Sequence, residues 1–145
     1  MPTTSTHLSV TGPVRGRPRY QCPVDAPVSV LGGKWKLIIA FYLLQRPRRN
    51  GELRRLIPAI TQKMLTQQLR ELEADGIVTR TVYEQVPPKV EYAIAVDERS
   101  RLEPLLRALC DWGLYWVDKT GATVDAFEGA ARPLPARGRQ PRLGT

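Results

Sequence analysis

The sequence is poor in the residue types on which most catalytic and metal sites depend. Its 145 residues include one histidine, His7, and two cysteines, Cys22 and Cys110. So few ligands build neither a zinc cluster nor a disulfide framework. The run Gly32-Gly33-Lys34 lacks the other residues of a phosphate-binding loop. We therefore expect no enzymatic activity, no metal and no cofactor.

Long apolar runs are also missing. No stretch approaches the roughly 18 apolar residues that a membrane-spanning helix requires. The N-terminal segment shows no apolar leader with a cleavage site. We therefore expect a cytoplasmic, nucleoid-associated protein with no membrane partner.

Acidic residues are outnumbered by basic ones. There are 22 lysines and arginines against 14 aspartates and glutamates, which gives a formal net charge of +8. Such a surplus suits a polyanionic partner such as nucleic acid. More than half of it lies in residues 1–20 and 121–145, so the net charge says little about the folded surface.

The two ends of the chain differ from its middle. Residues 1–20 and 120–145 are rich in proline, glycine and arginine and have no hydrophobic periodicity, which is typical of disordered basic tails. Residues 21–119 are periodic throughout. We therefore expect one folded domain between two tails.

Residues 23–46 predict two helices. The first is expected to begin at Pro23, which suits the first helical position, and to end at Gly32. The second is expected to end before Pro47. Its apolar side chains recur at helical spacing on one face, formed by Trp35, Ile38, Ile39, Tyr42 and Leu43.

Residues 50–75 predict two further helices joined by a tight turn. Asn50 is the expected N-cap of the first, which ends at Pro58. Thr61 is the expected N-cap of the second, and Gly76 follows its end. The buried stripe of this second helix consists of Leu65, Leu69 and Leu72.

The periodicity changes at Ile77. Residues 77–83 are β-branched and aromatic, and residues 89–96 alternate, with one face formed by Val90, Tyr92, Ile94 and Val96. Prolines between them predict a hairpin turn. A long last helix is expected behind an N-cap at Asp97. The fold class is therefore α+β, mostly helical: a winged helix-turn-helix with a two-stranded wing and a C-terminal dimerisation helix.

The helix at 61–75 has the properties of a DNA-reading element. Its outward residues in the first turns are polar and none is acidic; they are Gln62, Lys63, Thr66, Gln67 and Arg70. Glutamine pairs with adenine, and lysine or arginine pairs with guanine, in the major groove. The alternatives are an ordinary solvated helix face, or a winged-helix protein-interaction module without DNA binding.

Basic residues outside this helix are candidates for phosphate contacts. Lys89 flanks the tip of the wing, Arg80 lies on its first strand, and Arg49 lies at the start of the helix-turn-helix. Lys89 has an alternative role, since a lysine also protects an edge strand from aggregation. Three neighbouring arginines are further candidates, namely Arg48, Arg54 and Arg55.

The first and last helices carry more apolar surface than a domain of this size requires. We expect a homodimer interface formed by Val24, Val28, Leu105, Leu109, Trp112 and Trp116. A dimer would read two half-sites of a pseudo-palindromic double-stranded operator. Plain core packing is the alternative. A small-molecule effector pocket at the interface is a further hypothesis, lined by Trp35, Tyr42, Trp112, Tyr115 and Trp116.

The two cysteines differ in their expected roles. Cys22 directly precedes Pro23, so a helix N-terminus beside it would favour the reactive thiolate. This makes Cys22 a candidate redox sensor, with an inert half-buried residue as the alternative. Cys110 lies within the apolar stripe of the last helix and is expected to be structural.

Six motifs in a fixed order resemble the HxlR-type transcriptional regulators, over about residues 21–118. They are Cys22-Pro23-Val24, Gly32-Gly33-Lys34-Trp35-Lys36, Gly51-Glu52-Leu53-Arg54-Arg55, the run from Gln62 to Leu72, Gly76-Ile77-Val78, and the run from Val86 to Tyr92. The resemblance implies a dimeric winged helix-turn-helix, paired through its first and last helices.

The resemblance also assigns roles to segments of this sequence. Gln62–Arg70 matches the recognition helix of the family and Pro87-Pro88-Lys89 matches its wing. Some members sense oxidants or electrophiles through a cysteine at the position of Cys22. After Tyr92 the sequence departs from the usual Leu-Thr and glycine of the family, so the start of the last helix is expected to differ.

Overall fold

A computed structural model describes residues 17–125. Its elements are α1 (Asp25–Leu31), α2 (Trp35–Gln45), α3 (Asn50–Leu56), α4 (Gln62–Ala74), β1 (Val78–Tyr83), β2 (Lys89–Ile94) and α5 (Val96–Thr120). This order confirms the predicted winged helix-turn-helix. Most of the two predicted tails, and His7 with them, lies outside the described residues, although Thr120 belongs to α5 and not to a tail.

The core is built around α2. Ile39, Leu43, Leu65 and Leu69 are at most 1% exposed, as are the other leucines that α3 and α4 direct inward. The prediction of a single apolar face on α2 is too narrow. Ala40 and Leu44 are buried as well, because α2 lies beneath α4, α5 and the hairpin together and a helix surrounded in this way is apolar on most sides.

The predicted stripe and caps of α4 are confirmed. The Oγ1 of Thr61 accepts a hydrogen bond from the N–H of Met64 at 3.1 Å, which satisfies one of the free donors at the helix start. The helix ends before Gly76, whose φ of +75° suits glycine. Leu65, Leu69 and Leu72 are buried.

The predicted N-caps of α3 and α5 are wrong by one and two residues. The cap of α3 is Arg49 and not Asn50, since the carboxylate of Glu52 accepts the Arg49 N–H at 3.3 Å. The cap of α5 is Ala95 and not Asp97, because the Ala95 N–H is already bonded to the carbonyl of Ile77 at 2.9 Å. Accordingly Val96 is the first residue of α5 and is 92% exposed, so it does not belong to the strand face.

The first helix also starts later than predicted. Residues 21–24 form a turn, in which the N–H of Asp25 donates to the carbonyl of Cys22 at 3.1 Å and the Asp25 carboxylate accepts the N–H of Gln21 at 2.9 Å. Helix α1 therefore begins at Asp25 rather than at Pro23.

The hairpin is antiparallel and pairs Val78 with Ile94 and Tyr83 with Lys89. A third segment joins it, because the backbones of Arg48 and Tyr92 exchange two hydrogen bonds, of 2.9 and 2.8 Å. This bridge fastens the wing to the loop between α2 and α3. The orientation of the wing relative to α4 is therefore held at two places, here and at the short connection through Ile77.

Helix α5 is docked over only half of its length. Near its start, Arg99 donates to the carbonyl of Leu44 at 2.6 Å, and Leu102 and Leu106 are buried. The 14 residues after Leu106 include no buried residue. No single helix within residues 17–125 is long and apolar enough to cross a membrane, although the bent pair of α1 and α2 passes by length and composition.

Candidate nucleic-acid interface

Helix α4 presents a continuous polar surface. Since its leucine stripe faces the core, five other side chains are directed outward, and we call them the recognition face: Gln62, Lys63, Thr66, Gln67 and Arg70. Four of them are exposed and Thr66 is half-buried. The structure thus brings together the five residues that the sequence singled out on this helix.

One end of the recognition face is organised by a chain of hydrogen bonds from α3. Nη1 of Arg54 lies 3.4 Å from Oε1 of Gln62, and Nε2 of Gln62 lies 3.1 Å from Oγ1 of Thr66. Arginine only donates, so the carbonyl of Gln62 faces Arg54 and its NH₂ group faces Thr66. Arg54 stays a candidate for a phosphate contact, and one of its N–H groups also orients the side chain of Gln62.

The other end is organised from α2. Nζ of Lys36 lies 2.8 Å from Oε2 of Glu71, and Nε2 of Gln67 lies 3.4 Å from Oε1 of the same carboxylate. The hydrogen bond from Lys36 is the main reason why the pKa of Glu71 is lowered, with further lowering by Gln67 and by the charge of Lys36. Sequence reasoning missed Lys36, since a pair between α2 and α4 has no local signature.

The wing carries two of the predicted phosphate contacts. Arg80 is exposed on β1, opposite Tyr92. Lys89 is less free than expected, because its ammonium group lies 3.5 Å from Oε2 of Glu91 and 4.9 Å from the centre of the Tyr83 ring. Both residues are on the hairpin, but Lys89 already has an acidic partner.

Three arginines just before α3 and one glutamate in its first turn lie close together, and the arginines do not act alike. Arg49 is exposed, whereas Arg48 is only 6% exposed and bonds to Gln45 Oε1 at 3.0 Å. The expectation that Arg48 could meet the DNA backbone is therefore wrong. Burial alone would raise the pKa of Glu52, but the Arg49 N–H and the charge of Arg46, 3.0 Å away, lower it overall.

A second surface is apolar and exposed. We call it the terminal-helix face, and it consists of Val24, Val28, Leu105, Leu109, Trp112 and Trp116, which are 36–67% exposed. The rings of Trp112 and Trp116 stack at 5.2 Å.

The aromatic residues suggested for an effector pocket are separated in the protomer. Tyr42 is a core residue packed on Phe41, whereas Trp112, Tyr115 and Trp116 are exposed on α5.

The two cysteines occupy different environments. Cys22 is exposed, and Cys110 is half-buried on α5. Burial raises the pKa of the Cys110 thiol, and the charge of Asp111 raises it further, so Cys110 is the less reactive kind of thiol. Cys22 is not at the helix start as predicted. It precedes the first residue of α1 by three positions, because the turn at 21–24 intervenes.

The chain is similar to known regulators. Residues 30–121 match the model of the HxlR-like helix-turn-helix family. The HTH-type transcriptional regulator YtcD of Bacillus subtilis (strain 168) is 51% identical over 111 residues, which are 76% of this chain and 87% of that protein. The solved redox regulator HypR is similar in its oxidized form (52% identity, 65% of this chain, 96% of that chain, TM-score 0.61) and in its reduced form (49%, 69%, 98%, 0.65).

Proposed function

Because the chain belongs to the HxlR-like helix-turn-helix family of DNA-binding transcriptional regulators, we propose that it reads a pseudo-palindromic operator as a homodimer. Each protomer inserts the N-terminal turns of α4 into the major groove of one half-site. The observation that carries this proposal is the recognition face itself, an exposed, acid-free set of donors and acceptors backed by three buried leucines.

Phosphate contacts are assigned to basic residues around α4. Arg49 is the cap of α3, and Arg80 and Lys89 lie on the wing. Contacts of this kind position a protein on the duplex and add salt-dependent affinity, but they do not read sequence. Specificity is therefore assigned to the recognition face and non-specific affinity to these three residues.

Dimerisation is assigned to the terminal-helix face. The part of α5 that follows Leu106 contributes no buried residue within one protomer and carries Leu109, Trp112 and Trp116. An exposed apolar surface of this kind marks an association site. Half-site spacing requires that the two α4 helices of such a dimer lie about one DNA turn apart, roughly 34 Å.

An oxidant response is the second part of the proposal. Cys22 is exposed, it lies two residues before Val24 and six before Val28 of the terminal-helix face, and the similar protein HypR is named a redox regulator. We assign the sensing thiol to Cys22 and not to Cys110, whose pKa is raised by burial. Loss of an oxidant response in a Cys22→Ser variant is the measurable consequence.

The central test is a gel shift with duplex DNA from the upstream region of the protein's own gene, titrated in salt against a random duplex. We expect preferential binding that persists at a salt concentration where the random duplex is released. Sedimentation at the same concentrations should report a dimer. No preference over the random duplex at any salt concentration would contradict the proposal and would favour a protein-interaction module.

A further inference from the structure

Lys36 is an unusual residue in the structure because it links the core helix to the DNA-reading helix. It lies on α2, where its side chain is only 13% exposed, and its ammonium group meets Glu71 on α4 at 2.8 Å. The Glu71 side chain is 44% exposed and borders the recognition face. The largely buried side chain of Lys36 therefore holds the carboxylate of Glu71 in place through a short ion pair.

This carboxylate decides how the amide of Gln67 is oriented. Lysine can only donate, and an ionised carboxylate can only accept. The lowered pKa of Glu71 keeps it ionised at neutral pH. The group of Gln67 that faces it, with Nε2 at 3.4 Å from Oε1, must therefore be the NH₂ group and not the carbonyl.

The groups that remain on Gln67 are one amide N–H and the carbonyl oxygen. They form a donor and an acceptor on one side chain, which matches N7 and N6 of adenine in the major groove. Gln62 differs, because Arg54 and Thr66 engage both ends of its amide, the carbonyl and the NH₂ group, and so hold it for contacts within the protein. Among the described residues, Glu71 engages only the NH₂ end of Gln67, so the whole carbonyl of Gln67 and one N–H are left for a base.

We propose that Lys36 is a positioning residue for base recognition: acting through Glu71, it fixes the amide of Gln67 so that the protein selects adenine at one base pair of each half-site. The inference rests on the proposed function, since it requires that α4 enters the major groove. It assigns a role in specificity to a residue that itself does not touch DNA.

The experiment is a selection of bound duplexes from a randomised pool with the full-length chain and its variants. Gln67→Ala locates the base pair that Gln67 reads, because the adenine preference is lost at that position. Lys36→Met, an apolar side chain of similar length, is expected to reduce a preference of about tenfold to less than about threefold at that same position, with the others retained. Lys34→Met is the matched control; it removes one charge beside the Trp35 ring and should leave every preference intact.

Two more variants separate positioning from folding. Lys36→Arg keeps a donor for Glu71 and should restore the preference. Glu71→Ala removes the half-exposed carboxylate that accepts from both Lys36 and Gln67, and it should reduce the adenine preference in the same way. This variant replaces Lys36→Met if circular dichroism shows that Lys36→Met does not fold.

The outcomes are distinguishable. If the unmodified protein selects no motif, the proposed function itself fails. If it selects a motif and Lys36→Met keeps the full preference at the Gln67 position, or weakens all positions equally, the inference is overturned. The same holds if Gln67→Ala changes no position, since Gln67 would then read no base.

Discussion

The recognition face and the terminal-helix face are both largely exposed, but they differ in the contacts that their side chains find within one protomer. On the recognition face, hydrogen bonds from α2 and α3 orient the glutamines and Thr66 within a single protomer. On the terminal-helix face, Leu109 and Trp112 are 44% and 58% exposed in one protomer. Polar groups tolerate water, whereas each apolar side chain of this size gains roughly 1.5–3 kcal/mol when it is buried. The polar groups of the first surface find partners within one protomer, whereas we propose that the second surface is covered by another copy of the chain.

The largest effect is expected where the apolar face is broken. Leu109→Asp places a charge in the proposed dimer interface, which should prevent pairing. Because two linked half-site contacts bind more tightly than one, operator affinity should fall about 100-fold or more. Sedimentation and gel shifts measure the two effects. Val96→Asp is the matched control: it makes a similar change at the 92% exposed first residue of the same helix, outside the terminal-helix face. An operator affinity unchanged in Leu109→Asp would mean that the two faces are not coupled.

An intermediate effect is expected within the basic surface. Lys63→Met on the recognition face should lower operator affinity about tenfold, because a lysine contact to guanine is lost. Lys89→Met on the wing should lower operator affinity less, about twofold to threefold. The ammonium group of Lys89 lies 3.5 Å from Glu91, and a phosphate contact that gives up this ion pair contributes less net affinity. Salt titrations of the two variants side by side make the comparison. Equal losses would show that Lys89 leaves Glu91 fully on binding DNA.

The smallest effect is expected at the two cysteines. Cys22 precedes α1, and Cys110 lies on α5. In reducing buffer, Cys22→Ser should bind the operator within twofold of the unmodified protein, because the residue is exposed and makes no side-chain hydrogen bond to α4. After a thiol oxidant such as diamide, the unmodified protein should lose or change its affinity, and the variant should not. Cys110→Ser, with a half-buried thiol of raised pKa, is the control that should retain the response. A response that survives in Cys22→Ser would reject Cys22 as the sensor.

Local signals in the sequence were sufficient for most of the fold. Thr61 caps α4, the leucine spacing buries its stripe, and prolines separate the two strands of the wing, since each of these effects acts over a few residues. Helix starts were less accurate at Asn50 and Asp97. The true caps, Arg49 and Ala95, are held by Glu52 and by the distant carbonyl of Ile77, so cap-forming side chains alone were misleading.

The sequence by itself determined which face of α4 is polar, because a leucine every three or four residues leaves only the other positions for solvent or DNA. It also determined that α1 and α5 carry surplus apolar side chains. Only the tertiary structure decided the fate of individual basic residues. Arg48 is buried beside the bridge to Tyr92, although the sequence made it a candidate phosphate contact, and Lys36 is paired with Glu71, a partner that the sequence did not indicate. The reason is physical: burial and ion pairing depend on partners 35 to 44 residues away along the chain, which only the packing of α2 against α4 and the wing brings within reach.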